Sequence, residues 1–116
     1  MESVLNRLPN NVLSDVKGYV NYIKGYMNDL QINYDLFLFG SIAKFNYNED
    51  SDIDLLLLVD KDFDSVRDCK NFKYSLLYDM PCLNRELDLK VYSKSKFFST
   101  DNFFENDIKK DLVKVG

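Results

Sequence analysis

The chain has 116 residues, of which 46% are hydrophobic and 29% charged, with 4 Gly and 2 Pro, a composition that folds and a length that suits one domain over residues 1–116. A formal net charge of −4 weighs against broad phosphate neutralisation, so DNA is not the primary partner expected; the lack of histidine excludes a Cys/His zinc site and histidine general-base catalysis. The longest apolar run, Leu55 to Val59, falls far short of the roughly 20 residues of a membrane-spanning helix, which leaves a cytoplasmic chain with no membrane partner.

From Asn10, read as an N-cap, the residues Val12, Leu13, Val16, Tyr19, Val20, Ile23, Met27 and Leu30 recur at spacings of three and four. That period predicts one long helix ending near Leu30. Tyr34 to Phe39 reads as a short strand stopped by Gly40, and Asp52 to Val59 as a second strand. Asp60, Asp62 and Asp64 suit the start of a second helix, which carries Val66, Phe72, Leu76, Leu77 and Met80 and ends at Pro81. Leu87, Leu89 and Val91 alternate with Asp88, Lys90 and Tyr92, the pattern of a half-buried third strand. A last short helix is expected around Asn106 to Val113. Phe97, Phe98, Phe103 and Phe104 are expected to close the core, with a docking surface as the alternative. Cys69 and Cys82 form no CxxC pair and read as reduced, small core residues. The order of elements predicts an α/β (α+β) fold in which helices cover a small mixed sheet.

The chemistry concentrates in "FLFGSIAKFNYNEDSDIDLLLLVD", residues 37 to 60. In an extended strand Asp52 and Asp54 point the same way, with Cα atoms about 6.6 Å apart. Two carboxylates aimed at one point beside apolar neighbours repel unless a cation lies between them, and a hard divalent ion suits oxygen ligands better than the nearby Lys44 or Lys61. Asp88, on the polar side of a neighbouring strand, offers a third carboxylate. Gly40 and Ser41 at a strand end allow backbone N–H groups to approach a phosphate closely. Together these residues describe a site for a metal-bridged triphosphate, with Asp88 placed to accept a proton from an attacking hydroxyl. A calcium EF-hand loop begun by Asp50, Asp52 and Asp54 fails, because Leu55 replaces its glycine and Lys61 its closing glutamate.

Gly40-Ser41, ten intervening residues and then Asp52-Ile53-Asp54 resemble the GS-x10-D-x-D signature of the nucleotidyltransferase superfamily. The short chain, with its leading helix and its later "ELDLKVYS" strand, is similar to the minimal nucleotidyltransferases that accompany HEPN-domain proteins in prokaryotic toxin-antitoxin pairs. The resemblance implies that Gly40 and Ser41 contact nucleotide phosphate, that Lys44 stands near it where the family commonly has arginine, and that Asp52, Asp54 and Asp88 bind Mg²⁺, two ions in all. Asp88 would also be the base. The resemblance further implies transfer of AMP from ATP to a hydroxyl, a tyrosine of a HEPN-type helical toxin, in a hetero-oligomer in which this chain is the antitoxin. Phe45 departs from the family by standing where glycine is common. Two alternatives remain: a nucleotidyltransferase with a small-molecule acceptor of the aminoglycoside type, weakened by the short chain, and a non-catalytic protein that neutralises its partner by binding.

Overall fold

The computed structural model describes residues 4–99 and 112–116. A 3-10 turn at Val4–Arg7 leads into α1 (Asn10–Leu30). Asn10, expected as the cap, is the first helical residue instead, and Pro9 holds the cap position at φ −58° and ψ 153°. Proline's fixed φ suits this role, and its carbonyl accepts from the Leu13 N–H at 2.9 Å. Val12, Val16, Tyr19, Val20, Ile23 and Met27 form the buried face of α1, whereas Leu30 at its end is exposed.

The helix stops at Gln31, which takes a left-handed conformation at φ 57°. The N–H groups of Gln31 and Ile32 then donate to the carbonyls of Asn28 and Met27 at 3.1 and 3.4 Å. A side chain at that φ costs about 1 kcal/mol. Gln31→Gly is therefore expected to raise the unfolding free energy by about 0.5–1 kcal/mol, seen as a higher urea midpoint at unchanged slope.

The remaining elements are β1 (Tyr34–Phe39), α2 (Gly40–Ala43), β2 (Ile53–Val59), α3 (Val66–Leu77), β3 (Leu87–Ser93), α4 (Lys94–Ser99) and β4 (Val113–Lys114). The sheet order is β3-β2-β1-β4, with β2 and β3 parallel and β1 antiparallel to both β2 and β4. Parallel neighbours need a crossover, and α3 supplies it. The expected mixed α/β architecture is present.

Apart from Asp54, β2 is apolar, because both of its faces are covered. Ile53, Leu55, Leu57 and Val59 join the main core with α1 and with Leu76 of α3. Leu56 and Leu58 point the other way and pack with Phe39 and Phe97 in a smaller core. The Tyr22 hydroxyl donates to the Leu76 carbonyl at 3.0 Å, tying α1 to α3.

Several expectations need correction. The second helix begins at Val66, not at the acidic run, because Ser65 caps it by accepting from the Asp68 N–H at 3.2 Å. It also ends at Leu77, short of Pro81. Asp60 and Asp62 belong to the connection: the Asp60 N–H donates to the Asn33 carbonyl at 2.8 Å, and Asp62 accepts from Ser95 Oγ at 3.1 Å. Val113 lies in a strand paired with Leu38, not in a helix. Leu112 lies outside any helix, and residues 106–111 of the expected helix lie outside the described residues, as do Phe103, Phe104 and the side chain of Phe98. Phe97 is fully buried, as expected of a core residue. Cys69 packs against the main core, but Cys82 is exposed, contrary to expectation. Among the described residues, no helix is long and apolar enough to cross a membrane.

Candidate active site

Phe39 pairs with Asp54 across the β1–β2 ladder, so the turn that leaves β1 is built directly against that carboxylate. Gly40 sits in the turn at φ +74°. A Cβ at Gly40 would overlap Asp54 Oδ2 and lie 2.9 Å from Asp54 Cγ. Glycine is thus required twice, by the backbone conformation and by the neighbouring acid.

Gly40 and Ser41 open the single turn of α2. Their carbonyls accept from the N–H groups of Lys44 at 3.2 Å and Asn46 at 2.9 Å. Lys44 closes the turn with an exposed side chain. Phe45 takes φ +58°, the left-handed region that favours glycine, so the turn carries a side chain where the resemblance commonly has none. The Arg7 guanidinium lies 4.6 Å from the centre of the Phe45 ring. A cation–π contact of about 0.5–1 kcal/mol offsets much of the backbone cost of about 1 kcal/mol.

The three predicted carboxylates come together at one end of the sheet. Asp54 is the second residue of β2 and Asp88 the second of β3, directly opposite each other in the parallel register. Asp52 is exposed just ahead of β2. Burial, then the charges of Asp88 and Asp52, push the Asp54 carboxyl up to about 6, and its hydrogen bond with Asp88 adds to the effect. Lys90 works against this; its Nζ lies 3.7 Å from Asp88 Oδ1. Burial and two neighbouring carboxylates thus both disfavour the charged form of Asp54.

Such a donor set fits a hard divalent ion, since every candidate ligand is a carboxylate oxygen. Among the described residues, no three His, Cys, Asp or Glu side chains are already assembled as a metal cage. Asp60, Asp62 and Asp64 follow the opposite end of β2 and do not join the cluster.

Sequence reasoning missed the groups that hold the loop between α2 and β2. Arg85 Nη1 donates to the carbonyls of Asn48 at 2.9 Å and Ser51 at 2.7 Å, and its guanidinium lies 5.4 Å from the Tyr47 ring centre. The Arg85 main chain is held in turn: its N–H donates to buried Asp15 Oδ2 at 3.0 Å, and its carbonyl accepts from the Tyr19 hydroxyl. One signal was readable. Asp15 interrupts the apolar stripe of α1 between Val12, Val16 and Tyr19, and a buried acid demands a partner.

The family model for the nucleotidyltransferase domain matches residues 20–115. A Methanocaldococcus jannaschii protein provisionally named a protein adenylyltransferase is 45% identical over 51 residues, covering 40% of this chain and 51% of that protein. The chain therefore spans about half the length of this curated relative. Among solved structures, a provisionally assigned nucleotidyltransferase from Sulfolobus solfataricus superposes with a TM-score of 0.57 at 16% identity, over 98% of this chain and 87% of that one. A toxin-antitoxin structure with AMP-PNP gives a TM-score of 0.50 at 17% identity, over 81% of this chain and 69% of that one. At these identities the two structures speak for the fold.

Proposed function

The chain belongs to the nucleotidyltransferase domain family, and from that premise we propose that it moves AMP from ATP onto a hydroxyl of a partner protein. The observation that carries this reading is the pairing of Asp54 with Asp88 at adjacent strand tips, with Gly40 packed against Asp54 and Asp52 beside it. Divalent ions of the Mg²⁺ type, held by Asp52, Asp54 and Asp88, would neutralise the triphosphate and favour in-line displacement at its α-phosphorus.

The chain's own residues do the rest. Gly40 and Ser41 leave room for phosphate oxygens to meet backbone N–H groups, and Lys44 adds a positive charge at the end of the same turn. Asp88, whose side chain is nearly half exposed, takes the proton of the attacking hydroxyl. The oxygen of that hydroxyl bonds to the α-phosphorus as the bond to the bridging oxygen breaks and pyrophosphate leaves. The acceptor we propose is a tyrosine of a HEPN-type helical partner, which makes this chain an antitoxin. The protein adenylyltransferase name of the Methanocaldococcus relative and the toxin-antitoxin neighbour with AMP-PNP agree with that choice.

The test incubates the protein with Mg²⁺, α-labelled ATP and the protein encoded beside it. Label on the neighbour that vanishes in the Asp52→Ala/Asp54→Ala double variant is the expected result. A neighbour that is bound tightly but never labelled would establish neutralisation by contact instead.

A further inference from the structure

We propose that Arg85 is a positioning residue for the candidate metal site, clamping the loop that delivers Asp52 to the strand that delivers Asp88. The inference rests on the nucleotidyltransferase reading above. Asn48 and Ser51 form a tight turn: Asn48 N–H donates to Ser51 Oγ at 3.0 Å, Asp50 N–H to Asn48 Oδ1 at 2.8 Å and Ser51 N–H to the Asn48 carbonyl at 3.3 Å. One guanidinium nitrogen binds the carbonyls at both ends of that turn. Asp52 is the next residue.

The same arginine stands three residues before Asp88. Its neighbour Glu86 accepts from the Ile53 N–H at 2.8 Å, which locks the residue after Asp52 to the start of β3. The clamp has a fixed base, because Asp15 and Tyr19 of α1 hold the Arg85 backbone from the core side. The placement of Asp52 relative to Asp54 and Asp88 is thus set by one side chain that no ligand need touch. Carboxylates around a divalent ion must be oriented before binding, or the ion has to order the loop at its own expense. Lysine is a partial substitute, since its ammonium can donate to both carbonyls but sits on a flexible stem and lacks the planar guanidinium that lies by the Tyr47 ring.

Two readouts test this without relying on transfer activity. In the apo protein, Arg85→Met is expected to speed amide hydrogen exchange at Ser51, Asp52 and Ile53 while the α1 amides stay protected. With AMP-PNP present, the same variant is expected to bind Mn²⁺ about 10–100-fold more weakly. Arg85→Lys should fall between it and the wild type, and Arg85→Gln serves if the methionine variant does not fold. Tyr22→Phe, which loses its bond to the Leu76 carbonyl far from the loop, should lower stability yet leave Mn²⁺ affinity unchanged. If Asp54→Asn loses Mn²⁺ binding while folded Arg85→Met or Arg85→Gln retains wild-type affinity and exchange, the positioning role is overturned and the site reading stands. If Asp54→Asn itself binds Mn²⁺ like the wild type, the site reading beneath the inference is what falls.

Discussion

Replacing Asp54 with asparagine is expected to make the metal-free protein more stable at pH 7.5 while abolishing nucleotide transfer. The Asp54 carboxyl is raised from its ordinary value of 3.8 to about 6, first by burial and then by the charges of Asp88 and Asp52. The sign follows from proton linkage. Between those two values the folded state holds a proton that the unfolded state has released, so stability falls as pH rises through this window and the penalty is complete above about 6. Discounted for the solvent that still reaches this half-buried group, the cost at pH 7.5 is on the order of 1–2 kcal/mol. Asparagine keeps the shape and removes the charge. In EDTA the variant should therefore melt roughly 3–8 °C higher than the wild type, and the gap should close as the pH approaches 4.5. Millimolar Mg²⁺ with nucleotide should reverse the order by stabilising only the wild type. Transfer should fall by about a thousandfold or more. Equal melting temperatures in EDTA at pH 7.5 would show that the carboxylates do not strain one another.

That trade explains which parts of the molecule could be read from its sequence. α1 follows from local periodicity, because its apolar residues face a core that it touches every turn, and β1 and β2 follow from apolar runs of strand length. Gly40, Ser41, Asp52 and Asp54 were legible for the opposite reason. They break the local pattern, setting polar and conformationally permissive residues at the mouth of an apolar strand. The onset of α3 was legible as well, in Ser65 and Asp68 at capping-box spacing, but the acidic run before it is the louder signal and misplaces the helix start. Arg85 was not legible. Its partners Asn48 and Ser51 lie 37 and 34 residues away and Asp15 lies 70 away, and two of those contacts run to backbone carbonyls, which carry no residue identity. The pairing of Val113 with Leu38 is hidden in the same way, since a two-residue edge strand has too few side chains to show a period.

Gly40→Ala is expected to be the most destabilising single change in the site. The left-handed φ of +74° costs any side chain about 1–2 kcal/mol. The new methyl group must also displace the Asp54 carboxylate, and overpacking of that kind costs about 1–3 kcal/mol. A destabilisation of about 2–5 kcal/mol by urea titration follows, together with loss of most transfer activity even where the variant remains folded. The two contributions separate in a double-mutant cycle. Asp54→Ala removes the atoms that the methyl group strikes hardest, so Gly40→Ala on that background should cost only its backbone part, about 1–2 kcal/mol. If the cost on the Asp54→Ala background equals that in the wild type, Gly40 serves the backbone alone. If it shrinks, the glycine is there because the acid is, and the turn that faces the phosphates and the carboxylate that faces the metal form one packed unit.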